Sequence, residues 1–216
     1  MERPEKITIG FVIYPGFNAL DLVGPHEILS RLNARFFLVS EKGGKVLSEK
    51  GIAVEADYGF LDCPSMDILV VTGGPGQMDM MNHPGLMTFL RNKEPLSRFV
   101  AAVCTGTLLL AAAGLLQGRY ATTHWLAKEE LVQYGAIFKA ERVVFDGKFV
   151  TGAGVSSGID LALDLVGKIA GSEAAQLIQL AIEYDPAPPF QSGSPEKAPS
   201  FLVDRLKRTS RFYKES

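Results

Sequence analysis

An apolar run that ends on a cysteine and passes straight into a helix constrains this chain more than any other feature. Residues 98–114, RFVAAVCTGTLLLAAAG, read as a buried strand, a tight turn at Cys104 and a helix departing from it. A residue on such a turn projects its side chain above the sheet. The helix's unpaired N–H groups and positive dipole end there favour a thiolate. The competing reading is a small buried cysteine with no chemistry.

The rest of the chain alternates compact apolar runs with helix-like segments, which predicts an α/β fold with a mainly parallel sheet. The first strand is expected over Ile7–Ile13, and further central strands over Arg35–Ser40 and Asp67–Thr72, with a hairpin at 41–57 turning on Gly43-Gly44. A helix is expected over Ala19–Leu32, bent or delayed by Gly24-Pro25, which puts Asp21 near its beginning. Beyond Cys104, short strands are expected at Tyr120–Thr122, Ala136–Phe138, Val143–Phe145 and Phe149–Thr151, the last two joined through Asp146-Gly147. Helices follow at Leu126–Tyr134, Gly158–Ile169 and Glu173–Ile182. The stretch from Tyr184 to Pro199 is rich in Pro, Ser and Gly and reads as an irregular arm before a short helix near Phe201–Arg211. The whole, 1–216, is expected to be a single domain with 184–216 as that C-terminal arm and helix.

A net charge of −2 offers phosphate no global attraction, so neither DNA nor RNA is expected as a partner. Arg205, Lys207, Arg208 and Arg211 on the last helix read as a solvated face. Two cysteines, Cys63 and Cys104, do not make a disulfide scaffold. With no secretory signal and no apolar stretch long enough for a membrane span, the expectation is a cytoplasmic protein with reduced thiols. His26, His83 and His124 are scattered and neither cysteine sits in a ligand cluster, so no metal is expected.

Val70-Val-Thr-Gly73-Gly74-Pro-Gly76 follows an apolar strand but matches neither nucleotide-binding glycine signature. Its backbone N–H groups can instead face a cleft at the sheet's carboxyl edge, or simply make a turn. Residues 151–158, TGAGVSSG, bend before a helix and suit a mobile wall of the same cleft. His124 follows a short strand near that cleft, where it either transfers protons or caps locally.

These residues resemble the DJ-1/PfpI superfamily, and within it the isonitrile hydratases. The resemblance is carried by residues 16–26 (GFNALDLVGPH), 72–76 (TGGPG), 103–106 (VCTG), 121–125 (ATTHW) and 151–160 (TGAGVSSGID). The arm EYDPAPPF at 183–190, followed by Gly193-Ser-Pro195, resembles the hydratase group's C-terminal extension. The resemblance implies a flavodoxin-like three-layer sandwich with a nucleophile elbow, a homodimer, and a cysteine nucleophile with an acid from the first strand–helix connection. Asp21 stands where many members carry Glu, which favours hydration of an isonitrile. Thr105 stands where PfpI-type peptidases place a histidine, which disfavours proteolysis.

The reaction expected is addition of water to an isonitrile to give an N-substituted formamide. Cys104 attacks the terminal carbon while Asp21 protonates it, forming a thioimidate that water hydrolyses; no cofactor is needed. Thr105 is expected to support Asp21 or the reacting nitrogen. Gly73 and Gly74 are expected to orient the intermediate, and Phe17, Trp125 and Val155 to wall an apolar pocket. Three other readings share the scaffold: a glyoxalase-like cysteine enzyme, a redox or stress sensor, and a ligand-sensing module of a regulator. The last is disfavoured because few residues follow the core helices.

Overall fold

The apolar runs of the sequence become the middle of one eight-stranded sheet in the computed structural model, which describes residues 6–213. The first half of the chain forms β1 (Ile7–Val12), α1 (Ala19–Leu29), β2 (Ala34–Val39), β3 (Lys42–Leu47), β4 (Ala53–Gly59), β5 (Ile68–Val71), α2 (Gln77–Met80) and α3 (Pro84–Lys93). There follow β6 (Phe99–Val103), α4 (Gly106–Ala112), β7 (Tyr120–Ala121), α5 (Lys128–Gln133), β8 (Ile137–Phe138), β9 (Val143–Asp146), β10 (Phe149–Gly152), α6 (Ser157–Ala170), α7 (Ser172–Ala181) and α8 (Ser200–Thr209).

The sheet order is β3-β4-β2-β1-β5-β6-β10-β9. Pairing is parallel from β4 through β10, and antiparallel only where β3 and β9 close the two edges. Every residue of β5 and of β10 is buried, as expected of parallel strands covered on both faces. Helix α1 packs on α6, and α6 on α7, while α4 gathers α2, α3 and α5. The short strands β7 and β8 pair only with each other.

Two local expectations are corrected. Gly43 and Gly44 do not turn the hairpin: both lie inside β3 at φ +72°, where the register with β4 shifts. Two left-handed residues bulge the edge strand instead. The reversal comes later, where the Ser48 N–H donates to the Ile52 carbonyl at 2.9 Å. Pro25 also fails to delay α1, which starts at Ala19 and runs through it. The Gly24-Pro25 pair serves helix–helix contact instead: a Cβ on Gly158 of α6 would stand 2.9 Å from Pro25 Cδ, and one on Gly24 3.3 Å from Ile159 Cγ1.

No helix among the described residues is long and apolar enough to cross a membrane.

Candidate active site

The carboxyl ends of β1, β5 and β6 lie side by side in the middle of the sheet, and the loops leaving them bring the candidate residues together. Cys104 follows β6 directly and adopts φ +57°, one of two positive values among the described non-glycine residues. That conformation costs about 1–3 kcal/mol and persists only where the surroundings enforce it. Here the Cys104 N–H donates to the Gly152 carbonyl at 3.0 Å, and the Thr123 hydroxyl donates to the Cys104 carbonyl at 2.8 Å. Gly106 lets α4 start against the end of β5: a Cβ there would stand 2.8 Å from the Thr72 carbonyl oxygen.

Asp21 sits in the first turn of α1 and is completely buried. Asn18 sets that helix start, its side chain accepting the Leu20 N–H at 3.1 Å while its own N–H donates to the Gly73 carbonyl at 2.8 Å. Of the two Asp21 carboxyl oxygens, Oδ2 accepts the Gly73 N–H at 2.9 Å and Oδ1 is buried with no partner among the described residues. Burial pushes the carboxyl up to about 7, with Glu49 adding to the rise and the Gly73 N–H opposing it.

Cys104 is almost wholly buried, and its thiol is driven well above the usual range. Burial is the largest cause and the neighbouring Asp21 the next; the Thr105 N–H, the Arg211 charge and the Thr105 hydroxyl oppose them. Burial, followed by Asp21, therefore opposes the thiolate that the helix end favours.

Gly73 and Gly74 do not offer their N–H groups to a ligand. The Gly73 N–H is spent on Asp21, and the Gly74 N–H donates to Thr105 Oγ1 at 3.0 Å. Gly74, at φ +133°, lies so close to the β1–α1 connection that a Cβ would stand 2.5 Å from the Asn18 nitrogen. A Cβ on Gly73 would collide with Asp21 Oδ2 and the Thr105 nitrogen, each at 2.7 Å. The glycine pair is thus the place where acid and elbow close on each other.

Beside this centre opens a cleft of about 1300 Å³, with Leu20, Thr123, His124, Trp125 and Val155 on its walls. Phe17 does not line this cleft: its side chain is fully buried, and its backbone lies against the Gly74 turn. His124 accepts the Leu126 N–H at 3.3 Å on Nδ1, capping a short turn, and burial followed by Arg211 holds its imidazole below the ordinary value. It fits the local-capping role. The wall at residues 153–156 is strapped to α6 and the arm. Arg142 donates from Nε to Asp160 Oδ2 at 2.7 Å and from Nη2 to Ser156 Oγ at 3.2 Å, and the Tyr184 hydroxyl reaches Asp160 at 3.2 Å.

A protein-family model, that of the DJ-1/PfpI family, matches residues 7–168. The chain belongs to the DJ-1/PfpI family. Against the isonitrile hydratase of Pseudomonas putida it is 43% identical, over 94% of this chain and 89% of that one. With the HTH-type transcriptional regulator CdhR of Pseudomonas aeruginosa it shares 31% identity over 76% of this chain but only 51% of the regulator. Among solved structures, a ThiJ/PfpI family protein from Pseudomonas syringae superposes with a TM-score of 0.91 at 35% identity, covering 94% of this chain and 85% of the other.

Two residues of this DJ-1/PfpI site escaped the reading of the sequence. Tyr14, at the end of β1, is buried and donates its hydroxyl to the Thr72 carbonyl at 2.8 Å. Its phenol is pushed up by burial, then by the nearby Asp21 and Cys104. A tyrosine leading into the same connection as Asp21 was the available signal. Arg211, grouped with a solvated face, instead turns inward toward Gly74 and Gln77. Nothing local distinguishes it from Arg205 or Arg208.

Proposed function

We propose that this protein is an isonitrile hydratase, adding water to R–N≡C to give an N-substituted formamide through a thioimidate on Cys104. The observation that carries the reading is the divided carboxyl of Asp21: one oxygen is pinned by Gly73 and the other is buried without a partner, beside a strained elbow thiol. The 43% identity to the Pseudomonas putida enzyme supports the same chemistry.

Thiol and acid together hold one working proton. Asp21 accepts it from Cys104 and delivers it to the terminal carbon as sulfur forms its bond there, giving R–N=CH–S–Cys104 and leaving Asp21 ionised. Asp21 then takes a proton from water as the oxygen adds to the carbon, and passes that proton to nitrogen. The hydroxyl proton returns to Asp21 as the C–S bond breaks, releasing R–NH–CHO and the Cys104 thiolate with a protonated Asp21. Thr105 supports the thiolate through its N–H and hydroxyl. Apolar walls at Trp125 and Val155 of the neighbouring cleft suit a hydrophobic R group. The scheme uses no metal or organic cofactor.

We further read the chain as a single domain working as a cytoplasmic homodimer. Two free thiols and exposed apolar residues such as Leu180, Phe190 and Phe201 support that reading. Incubation with a panel of small isonitriles should yield formamides, and intact mass should find an adduct on Cys104. Cys104→Ala should yield neither. Formamide from Cys104→Ala would end the covalent scheme, and methylglyoxal turnover without formamide would move the assignment to the glyoxalase-like reading.

A further inference from the structure

Residues 210–213 follow α8, and among them Arg211 makes contacts that its surface-like sequence context does not announce. Its Nη2 donates to the Gly74 carbonyl at 3.2 Å and to Gln77 Oε1 at 3.0 Å, across 137 and 134 residues of sequence. Gln77 is fully buried. Gly74 also donates its N–H to Thr105, while its neighbour Gly73 holds Asp21. The guanidinium therefore grips the carbonyl of the same turn whose N–H groups organise the thiol and the acid.

The charge itself is unusual in its company. Arg211 Nε is buried without a partner, and no carboxylate pairs directly with this side chain among the described residues. An arginine serving only to tie the C-terminal segment down would be better satisfied by a carboxylate, because neutral carbonyls leave a partly desolvated cation uncompensated. The charged and titratable groups around it are Cys104 and Tyr14 toward the site, Glu49 on the β3–β4 turn and Glu130 on α5. Asp21 faces the thiol as well, and His124 lies within reach of the Arg211 charge. A positive charge held here is best matched by the negative charge that appears on sulfur when Cys104 gives up its proton.

We propose that Arg211 is a positioning residue of the Cys104 site, carried in by the C-terminal segment to clamp the Gly73-Gly74 turn and to stabilise the thiolate form of Cys104. The inference rests on the thiol–acid site and not on the identity of the substrate. It makes the end of the chain part of the reactive centre and gives the inward turn after α8 a chemical purpose.

Alkylation of Cys104 by iodoacetamide in the full-length protein tests it, read by peptide mass from about pH 6 to about pH 10, with thermal melting as the folding control. Arg211→Gln should slow alkylation at neutral pH on the order of tenfold and displace the profile to higher pH. Arg211→Lys keeps the charge and should stay within about threefold of the wild type. An Arg211→Gln profile superposable on the wild type overturns the proposal. A folded Arg211→Lys protein displaced about tenfold also overturns it, and decides the matter alone should the glutamine variant not fold. No isonitrile is present, so the result stands apart from the proposed hydration.

Discussion

Replacing Asp21 by Asn should change how the stability of the protein depends on pH, because the carboxyl is held in a place that opposes its charge. Its folded value is about 7 against an ordinary 3.8, with burial the main cause. A value raised by folding means that the folded state binds the proton more tightly. The contribution is therefore complete below 3.8 and is lost progressively as pH rises toward about 7. At about 1.4 kcal/mol per unit, the net loss is about 2 kcal/mol by pH 5, where only the unfolded chain is ionised, and about 4 kcal/mol by pH 8, where the folded group has ionised too. Asn has no such titration. Its carbonyl can keep the Gly73 N–H, and its amide, set where Oδ1 lacks a partner, adds a pH-independent penalty of about 1–3 kcal/mol. The prediction therefore lies in how the offset between variant and wild type changes with pH. Between about pH 5 and about pH 8, Asp21→Asn should gain roughly 2–3 kcal/mol relative to the wild type. Urea unfolding of both proteins at the two pH values measures this directly. An unchanged difference would refute the claim that a buried, unpaired carboxyl titrates near neutrality.

In the proposed reaction, the thiol and Asp21 should also set the pH dependence of the rate. Formamide production should rise as pH increases through about 7, where the doubly protonated pair loses its first proton, and kcat/KM profiles check this; a flat profile across neutrality would contradict it. Gly73→Ala should cut turnover about a hundredfold or more in a protein that still folds, since its Cβ must displace Asp21 or Thr105; steady-state kinetics with a melting curve separates the two effects. Gly106→Ala should destabilise the fold by about 1–3 kcal/mol, because the Thr72 backbone carbonyl cannot yield as a side chain would, and denaturant titration reads the loss.

Much of this architecture was legible because it is written in short stretches of sequence. The apolar runs of β1, β5 and β6 announce buried parallel strands, and the elbow is visible as a strand ending on Cys104 with small residues behind it. The errors have local causes. Gly43-Gly44 carries a turn's chemistry but is used as a bulge, since adjacent left-handed residues serve either purpose. Gly24-Pro25 was expected to bend or delay α1, yet the helix starts at Ala19 and the Pro25 ring lies against Gly158 of α6. Phe17 was read as pocket wall, but an aromatic residue suits core and cleft equally, and only the fold tells them apart.

By itself the sequence determined the kind of sheet and the strand-to-helix turn at Cys104, because strand burial and turn geometry are properties of neighbouring residues; Asp21 as the proposed acid came from the resemblance to the DJ-1/PfpI superfamily. The tertiary structure decided that the Gly73 and Gly74 N–H groups serve Asp21 and Thr105 rather than a ligand. It also decided that burial raises the Asp21 carboxyl to about 7 and that Arg211 turns inward to Gly74 and Gln77. Desolvation and contacts between residues more than a hundred positions apart exist only once the chain has closed on itself, so no local pattern encodes them.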